Sequence, residues 1–590
     1  MTAAVVIVAF VAYAALAENV TSPHVFSDEL LYFDAAASVV EGGGLAVRSE
    51  PYRYSPLYPG LLAALLTVVP DRVAAYELAK ALNALIFALS AVPAFLLARR
   101  LLRPWPSTVV AALSVSIPSS IYVSVVMTES LAYLAATWAF YAIVLALERP
   151  TVVRQFAAVG AMLIASGVRT QFLALFGVYA LGLAIVALTL PVYRGQTKVL
   201  LLALWPTGLV FALGATLRLL ATGAGKPSGT VGAYSELWRA YDPAEVGKWL
   251  VYHLANIDLY LAVIPFAVAP IVVAALFGRA RRGSERHAAF LALFLAANTV
   301  ILTLTAAFNT TEWAGNRLHD RTVYYVVPLW MIVLLVWVVD GAPRPLAVAG
   351  LGAAFAVALP LFLPFSDYLK DDARLQFNAV ETTFWTSVDR AVAEVGVSGR
   401  VVLAFWTISL ALVTLLLPVS RRYLFPALVF GAFGATAMLS WSNASRVADP
   451  WSRALVGQQR TWLDERLSEG GSATLLVVTA PCTRLVDMQG YYLTEFFNSS
   501  VRRVAHLGTP PDSLPALSVR VSPRGELLLP SGGRLQADFV LAQPGVRLEG
   551  RKVGEGTAAR LTLWDVAGEV RIVGVTSGEE YTAAVCGNHH

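Results

Sequence analysis

Long apolar stretches alternate with polar loops over roughly the first three-quarters of the chain. A helix that crosses the hydrocarbon core of a bilayer needs about 20 apolar residues, with a range of about 17–25. The stretch from Leu61 to Pro70 is too short to cross, and we interpret it as a surface or re-entrant helix. The length rule predicts thirteen spanning helices, at residues 2–18, 79–101, 107–126, 129–147, 153–168, 171–190, 198–221, 258–277, 287–307, 323–339, 344–364, 401–419 and 423–441.

The pattern changes near residue 442. An apolar strand-like run covers Thr474–Ala480, a helical pattern covers Gln489–Val501, and short strand-like runs such as Val546–Glu549 follow. These features predict a soluble α/β domain at residues 442–590, behind a transmembrane domain at residues 1–441. The domain has no nucleotide-binding glycine pattern, P-loop or zinc-type Cys/His spacing, so the sequence does not indicate what it does.

Composition agrees with a membrane protein. The 590 residues are 57% hydrophobic and 14% charged, whereas soluble domains carry about 25% charged residues. The net charge of +5 has its source in the loops on one side of the membrane, so we expect no nucleic-acid partner.

Basic residues occur in alternate loops. The loops at residues 19–78, 222–257, 308–322 and 365–400 are mixed in sign and rich in Trp and Tyr, whereas the short loops between them are basic. The positive-inside rule then predicts a multi-pass protein of the cell (plasma) membrane with a cytoplasmic N-terminus. The long loops and the C-terminal domain are extracytoplasmic in this topology.

Cys482 and Cys586 are the two cysteines of the chain, and both fall in the predicted extracytoplasmic domain. An oxidising compartment permits a disulfide between them. Two unrelated thiols are the alternative, which the sequence leaves open.

The first outer loop, residues 19–78, begins with Ser27-Asp28-Glu29 directly after the first span. A carboxylate that is partly desolvated at the membrane surface can act as a general base towards a hydroxyl group. The alternative is a helix start, with Ser27 as N-cap and both carboxylates in the first turn. The two interpretations are compatible.

The same loop contains the segment Pro51-Tyr52-Arg53-Tyr54-Ser55-Pro56-Leu57-Tyr58-Pro59, which its three prolines make stiff and extended. Arg53 can bind a phosphate in a bidentate manner. The alternative is an interfacial aromatic belt with an arginine that extends to the water.

Two further candidates lie at the outer ends of predicted spans. Glu129 opens the fourth span, and Arg169 ends the fifth. Ionisable groups at such depth are candidates for function. The alternatives are a Thr128-Glu129 cap for the helix, and a structural ion pair or an interfacial position for Arg169.

Asn316-Arg317-Leu318-His319-Asp320-Arg321 lies at the outer end of the tenth span. Two arginines and a histidine make a positive patch that offers donors to a lipid-linked phosphate. The alternative is an ordinary polar loop beside an aromatic belt.

These elements, in this order, resemble the GT-C superfamily of membrane glycosyltransferases. The likeness is greatest to the protein O-mannosyltransferase and aminoarabinose (lipid A) transferase branch and to actinobacterial arabinofuranosyltransferases. It covers roughly residues 1–340. The segments that carry it are Ser27-Asp28-Glu29-Leu30-Leu31-Tyr32, Ser55-Pro56-Leu57-Tyr58-Pro59, Thr128-Glu129-Ser130 and Asp320-Arg321-Thr322-Val323-Tyr324-Tyr325 through Pro328.

The resemblance implies a GT-C fold and an inverting transfer of a hexose or pentose. The donor would be a sugar on polyprenyl phosphate, and the acceptor a hydroxyl of an envelope glycan, lipid or protein. Asp28 would be the catalytic base. Acceptor and donor would contact Glu29, Tyr32, Tyr54, Tyr58 and Glu129, and the donor phosphate would contact Arg53, Arg169, His319 and Arg321.

Two positions depart from the family pattern. Tyr54 and Ser55 follow Arg53 where relatives in the lipid A branch have a basic residue directly before their proline element, and Thr322 follows Arg321 where relatives often have tyrosine. No cofactor is expected, although a divalent cation between Glu29 and Glu129 is a weaker alternative. A transporter or lipid flippase is the alternative function, and a non-catalytic assembly partner is a third.

Overall fold

The computed structural model of the chain describes most of the transmembrane region and most of the C-terminal region. The described residues are 1–24, 26–191, 205–222, 241–311, 318–363, 380–456, 460–467, 471–479, 485–510, 512, 514–543, 546–556 and 560–573.

Helices account for nearly all regular structure before residue 457. In chain order the elements are α1 (Thr2–Glu18), α2 (Phe26–Val40), β1 (Ala46–Val47), β2 (Glu50–Pro51), α3 (Leu57–Val68), α4 (Arg72–Leu89), α5 (Ala91–Ala98), α6 (Pro104–Val115), α7 (Glu129–Glu148), α8 (Val152–Val168), α9 (Ala174–Thr189), α10 (Trp205–Thr222), α11 (Pro243–Tyr260), α12 (Ile264–Arg281), α13 (Glu285–Asn309), α14 (Val327–Val339), α15 (Leu346–Leu361), α16 (Val380–Ala393), α17 (Gly399–Leu416) and α18 (Leu424–Val456).

The prediction of a polytopic helical membrane protein is confirmed. Each of the thirteen predicted spans overlaps a helix. Among the described residues, seven helices are long and apolar enough to cross a membrane, or eight if a bent pair counts as one span. That pair is α6 and the 3₁₀ helix Pro118–Ser124, which meet at 57°. Ile117 precedes a proline and is therefore extended, which ends α6.

Ion pairs show which loops share an end of the helical domain. Arg149 contacts Glu285 at 3.1 Å, and Arg279 contacts Asp340 at 2.7 Å. These residues come from the short basic loops. The pairs place these loops together, as the alternation of charge predicts, while the assignment of this end to the cytoplasm remains a prediction.

The predicted boundary at residue 442 falls inside α18. This helix has 33 residues and continues beyond the last predicted span, so the change in polarity marks the end of the apolar part and not the end of the helix. The first strand of the C-terminal region begins at Ala473.

The C-terminal region is a mixed sheet with one crossover helix. Its elements are β3 (Ala473–Thr479), α19 (Leu485–Phe497), β4 (Val501–Gly508), β5 (Leu517–Ser518), β6 (Arg520–Val521), β7 (Leu527–Leu528), β8 (Gln536–Ala542), β9 (Arg551–Gly556) and β10 (Leu561–Glu569). The main sheet has the order β5-β4-β3-β8-β10-β9, with parallel pairing from β5 to β8 and antiparallel pairing of β10 with both neighbours.

The strand predicted at Val546–Glu549 is wrong. Leu548 makes only an isolated bridge to Ile572 there, and the strand that pairs with β10 begins at Arg551. Cys482 and Cys586 lie outside the described residues.

The first outer loop packs against the C-terminal region. α2 and α3 form a hydrophobic cluster with α4 and with Leu493, Phe496 and Phe497 of α19. The aromatic ring of Phe33 on α2 stacks on that of Phe496, with centroids 4.4 Å apart. The loop is therefore held between the helical domain and the sheet domain.

Candidate active site

Asp28 lies in the first turn of α2, where the helix dipole favours a carboxylate. Its Oδ2 accepts hydrogen bonds from Nη1 and Nη2 of Arg321, at 3.1 and 3.2 Å. The side chain is 36% exposed, and its Oδ1 makes no hydrogen bond within the described part of the chain. Asp28 therefore presents one oxygen to the surroundings.

Arg321 lies in the short 3₁₀ helix Asp320–Thr322 and is 17% exposed. Besides its bonds to Asp28, its Nε lies 3.5 Å from Oε1 of Glu129. Burial alone would lower the pKa of Arg321, but the carboxylates of Glu129 and Asp28 outweigh it and raise the pKa above its ordinary value. The guanidinium stays charged and joins two carboxylates.

Glu129 is the first residue of α7 and its side chain is fully buried. The Nη1 of Arg169 donates to the same Oε1 at 2.6 Å and also to the hydroxyl of Tyr325 at 3.3 Å. Oε2 of Glu129 has no hydrogen-bond partner among the described residues. Asp28, Arg321, Glu129 and Arg169 thus form a row of alternating charge, with Asp28 at the exposed end.

Local breaks in the helices place these side chains. Arg169 follows α8 in an extended conformation, with φ −145° and ψ 124°, before the 3₁₀ helix Thr170–Leu173. Thr322, which departs from the family pattern, donates from its hydroxyl to the carbonyl of His319 at 2.7 Å and lies 3.1 Å from the hydroxyl of Thr305. The threonine therefore fastens the turn that carries Arg321 to the end of α13.

Glu29 has a different environment from that of its neighbour. It is fully buried, and its two oxygens accept the backbone N–H groups of His24, at 2.8 Å, and Val126, at 2.9 Å. It ties the entrance of α2 to the turn that precedes Glu129. Burial also lowers the pKa of His24 to about 4, so this histidine is neutral at pH 7.

The predicted tyrosines line the inner side of the first loop. The buried Tyr58 donates to Oδ1 of Asn83 at 3.2 Å, and its ring meets that of Tyr32 edge-on, with centroids 5.6 Å apart. Tyr54 packs on Tyr52, also with centroids 5.6 Å apart.

The structure does not bring every predicted residue into the charged row. Arg53 is exposed and makes no hydrogen bond or ion pair within the described ranges. His319 is 7% exposed and its ring lies edge-on to that of Phe308, with centroids 5.4 Å apart. Their proposed roles at the donor phosphate stay predictions.

A divalent cation between Glu29 and Glu129 would meet carboxylate oxygens most of which already accept hydrogen bonds or form ion pairs. Both oxygens of Glu29 already accept backbone N–H groups, and Oε1 of Glu129 faces two guanidinium groups. Among the described residues, no group of three or more His, Cys, Asp or Glu side chains is arranged to hold a metal ion.

Comparison with solved structures identifies the architecture. ArnT from Cupriavidus metallidurans bound to undecaprenyl phosphate matches with a TM-score of 0.56 and 14% identity, over 95% of this chain and 98% of that one. The apo state of the same enzyme matches with a TM-score of 0.54 and 15% identity over the same shares. The chain has the GT-C fold.

An oligosaccharyltransferase from Archaeoglobus fulgidus in the apo form matches with a TM-score of 0.42 and 12% identity, over 85% of this chain and 64% of that one. No protein-family model matches the chain, and no curated protein sequence does.

Two features of this structure were not predicted from the sequence. Lys80 in α4 is buried and donates to the carbonyls of Ala17, at 3.0 Å, and Val20, at 2.5 Å, so that it fastens the end of α1. A lysine inside an apolar span was a signal that could have revealed it. The second feature is the contact between Arg48 of the first outer loop and Glu495 of the C-terminal domain. No sequence pattern around either residue indicates it.

Proposed function

We propose that this protein is an inverting glycosyltransferase that moves a sugar from a polyprenyl-phosphate donor to an acceptor hydroxyl at the outer membrane face. The observation that carries the proposal is Asp28, a partly exposed carboxylate with one open oxygen. Its other oxygen is held by an arginine that also contacts a buried carboxylate. The fold shared with ArnT, whose structure contains undecaprenyl phosphate, supports a lipid-phosphate donor.

In the proposed reaction, the acceptor hydroxyl approaches Oδ1 of Asp28. The carboxylate takes the hydroxyl proton as the acceptor oxygen forms a bond to the anomeric carbon. The bond between that carbon and the phosphate oxygen breaks, and its electron pair leaves with the polyprenyl phosphate. Attack from the side opposite the leaving group inverts the anomeric configuration.

The charged row balances the charge that this reaction moves. Two carboxylates and two guanidinium groups sum to zero before the reaction. When Asp28 takes up the proton it becomes neutral, and the hold on Arg321 weakens. At the same moment the leaving phosphate gains a negative charge, which Arg321 is placed to stabilise. Donors already aimed at a developing charge are among the strongest contributions to catalysis.

The experiment compares purified wild-type protein with Asp28→Asn, using a polyprenyl-phosphate sugar and an envelope acceptor fraction. We expect the variant to lose transfer while its melting temperature stays within a few degrees. Glu50→Gln is the matched control, because Glu50 is an exposed carboxylate in the same outer loop and should leave activity unchanged. Full activity of Asp28→Asn would remove Asp28 as the base.

The sugar and acceptor are the finer part of the proposal. A hexose such as mannose or a pentose such as arabinofuranose on the donor is consistent with the sequence resemblance. Competition between donors that differ only in the sugar would decide between them. A lipid flippase, the alternative, would move donor analogues across liposomes without transfer, and Asp28→Asn would leave that movement intact.

A further inference from the structure

We propose that Arg48 is a positioning residue through which the C-terminal domain holds the catalytic helix α2 in place. The proposal rests on the proposed role of Asp28. It assigns a task to the C-terminal domain, which the sequence alone does not explain.

Arg48 and Ser49 form the two-residue turn between β1 and β2. Their φ angles are 49° and 70°, in the left-handed region that favours glycine, and neither residue is a glycine. Such a turn suits the twist of a hairpin, but a left-handed conformation costs free energy in residues other than glycine. The other contacts of Arg48 must therefore stabilise the turn.

The guanidinium of Arg48 contacts the C-terminal domain with all five of its N–H donors. Nε and Nη2 donate to the two oxygens of Glu495 at 2.6 and 2.7 Å. Nη1 and Nη2 donate to the two oxygens of Asp512 at 3.3 and 3.2 Å, and Nη1 also donates to the carbonyl of Pro515 at 3.3 Å. Arginine has no further donor to offer.

Arg48 and its two carboxylate partners are buried. The side chains of Arg48, Glu495 and Asp512 are 4%, 4% and 3% exposed. Burial alone would lower the pKa of Arg48, but Glu495 and then Asp512 raise it above its ordinary value, so the guanidinium stays charged. Removal of one partner from such a pair leaves a buried charge without compensation, which is strongly unfavourable.

The backbone of Arg48 links this ion-pair cluster to α2. Its N–H donates to Oδ2 of Asp34 at 2.9 Å. Asp34 lies six residues after Asp28 on α2, or about 9 Å along the helix axis. Phe33, next to it, stacks on Phe496 of α19. Two contacts that involve the C-terminal domain therefore help to set the rotation of α2 about its axis, together with the hydrogen bonds of Asp28 and Glu29 at its first turn.

A helix of 15 residues moves as a rigid rod, so a shift at Asp34 moves Asp28. A displacement of about 1 Å at a reacting group can lower a rate by about 100-fold. The donor phosphate, in contrast, would contact Arg321 and Arg169, which belong to other elements. Disruption of the Arg48 ion pairs should therefore lower kcat and leave the KM for the donor nearly unchanged.

The test uses the full-length protein with Arg48→Lys, which keeps the charge but not the forked geometry, and Glu495→Gln, which keeps the size. We expect kcat to fall about 10-fold or more in both, with the KM for the donor within about twofold. The matched control is Arg502→Lys. Arg502 pairs with Glu41 across the same interface, but their side chains are 53% and 34% exposed, so kcat should not change.

Two further readouts separate positioning from a loss of folding. Hydrogen exchange of the peptide that covers residues 26–40 should be faster in Arg48→Lys and unchanged in Arg502→Lys. In an Asp28→Glu background, which already misplaces the carboxylate, Arg48→Lys should lower kcat much less than it does in the wild type. If Arg48→Lys does not fold, Glu495→Gln carries the same test.

Wild-type kcat in Arg48→Lys and Glu495→Gln would overturn the positioning role. An equal loss of kcat on Arg48→Lys in the wild-type and Asp28→Glu backgrounds would also overturn it. These results would leave the proposed function standing as long as Asp28→Asn is inactive. An active Asp28→Asn variant would instead overturn the proposed function, whatever Arg48→Lys does.

Discussion

Replacement of Arg321 by lysine is the most direct test of the charged row. The guanidinium donates twice to Asp28 and places its Nε 3.5 Å from Glu129. A lysine ammonium carries its charge on one atom, so it can bind one carboxylate at full strength but cannot join both. Arg321→Lys therefore removes about one hydrogen bond between charged groups.

A hydrogen bond to a charged group contributes about 1.5–3 kcal/mol. Since 1.4 kcal/mol corresponds to a factor of ten, its removal lowers kcat/KM for the donor by about 10- to 150-fold. Purified protein in detergent or liposomes, with labelled polyprenyl-phosphate sugar, gives this ratio from steady-state rates.

Arg169→Lys is the comparison. Nη1 of Arg169 lies 2.6 Å from Oε1 of Glu129, and a lysine nitrogen can occupy the same place. We expect its kcat/KM to fall less than about tenfold, because the ammonium can keep the ion pair with Glu129 and the hydrogen bond to Tyr325, at 3.3 Å, is weak. A kcat/KM of Arg321→Lys within threefold of wild type would contradict the bridging role of Arg321, and so would equal effects of the two substitutions.

Three further predictions concern stability. Burial raises the pKa of Asp34, so the stability that its neutral form provides is present at low pH and is lost as pH rises through its pKa in the folded protein. Asp34→Asn should therefore melt at or above the wild-type temperature at pH 7.5 in scanning fluorimetry. The difference in melting temperature should vanish near pH 4. Lys80→Met should cost about 2 kcal/mol or more and lower the melting temperature, because two carbonyls at the end of α1 lose a charged donor. Gly352→Ala should melt lower, because its Cβ would lie 2.3 Å from the carbonyl oxygen of Ala267, whereas Gly350→Ala meets nothing within 4 Å and should not.

The helical architecture was predictable because a span is a local property. The run of apolar residues that forms α7, for example, needs no knowledge of other segments. The predicted span at residues 107–126, in contrast, runs across Pro118 and missed the break after α6. Hydropathy was misleading near residue 442, where the apolar part of the helix ends but the helix itself does not. α18 continues beyond residue 441 because polar residues can extend a helix into water.

The candidate site was only partly predictable. The residues of the charged row were each singled out because they lie at the predicted outer ends of spans. Their pairing was not, since Asp28 and Arg321 are 293 positions apart. Glu29 shows the limit of reasoning from adjacency: it follows Asp28 in the chain, yet helix geometry turns it to backbone amides instead of to the open side. Arg48 and Glu495 are 447 positions apart, and only the three-dimensional structure relates them.

The unbroken α18 has a mechanical consequence. At about 1.5 Å per residue its 33 residues extend about 50 Å, whereas the hydrocarbon core takes up about 30 Å. About 20 Å of the helix therefore extends beyond the hydrocarbon core, towards the residues that lead to the sheet domain. One residue inserted after position 442 would rotate the end of this helix by about 100° and move it by about 1.5 Å along the axis. The contacts that hold the sheet domain on the first outer loop would resist such an insertion.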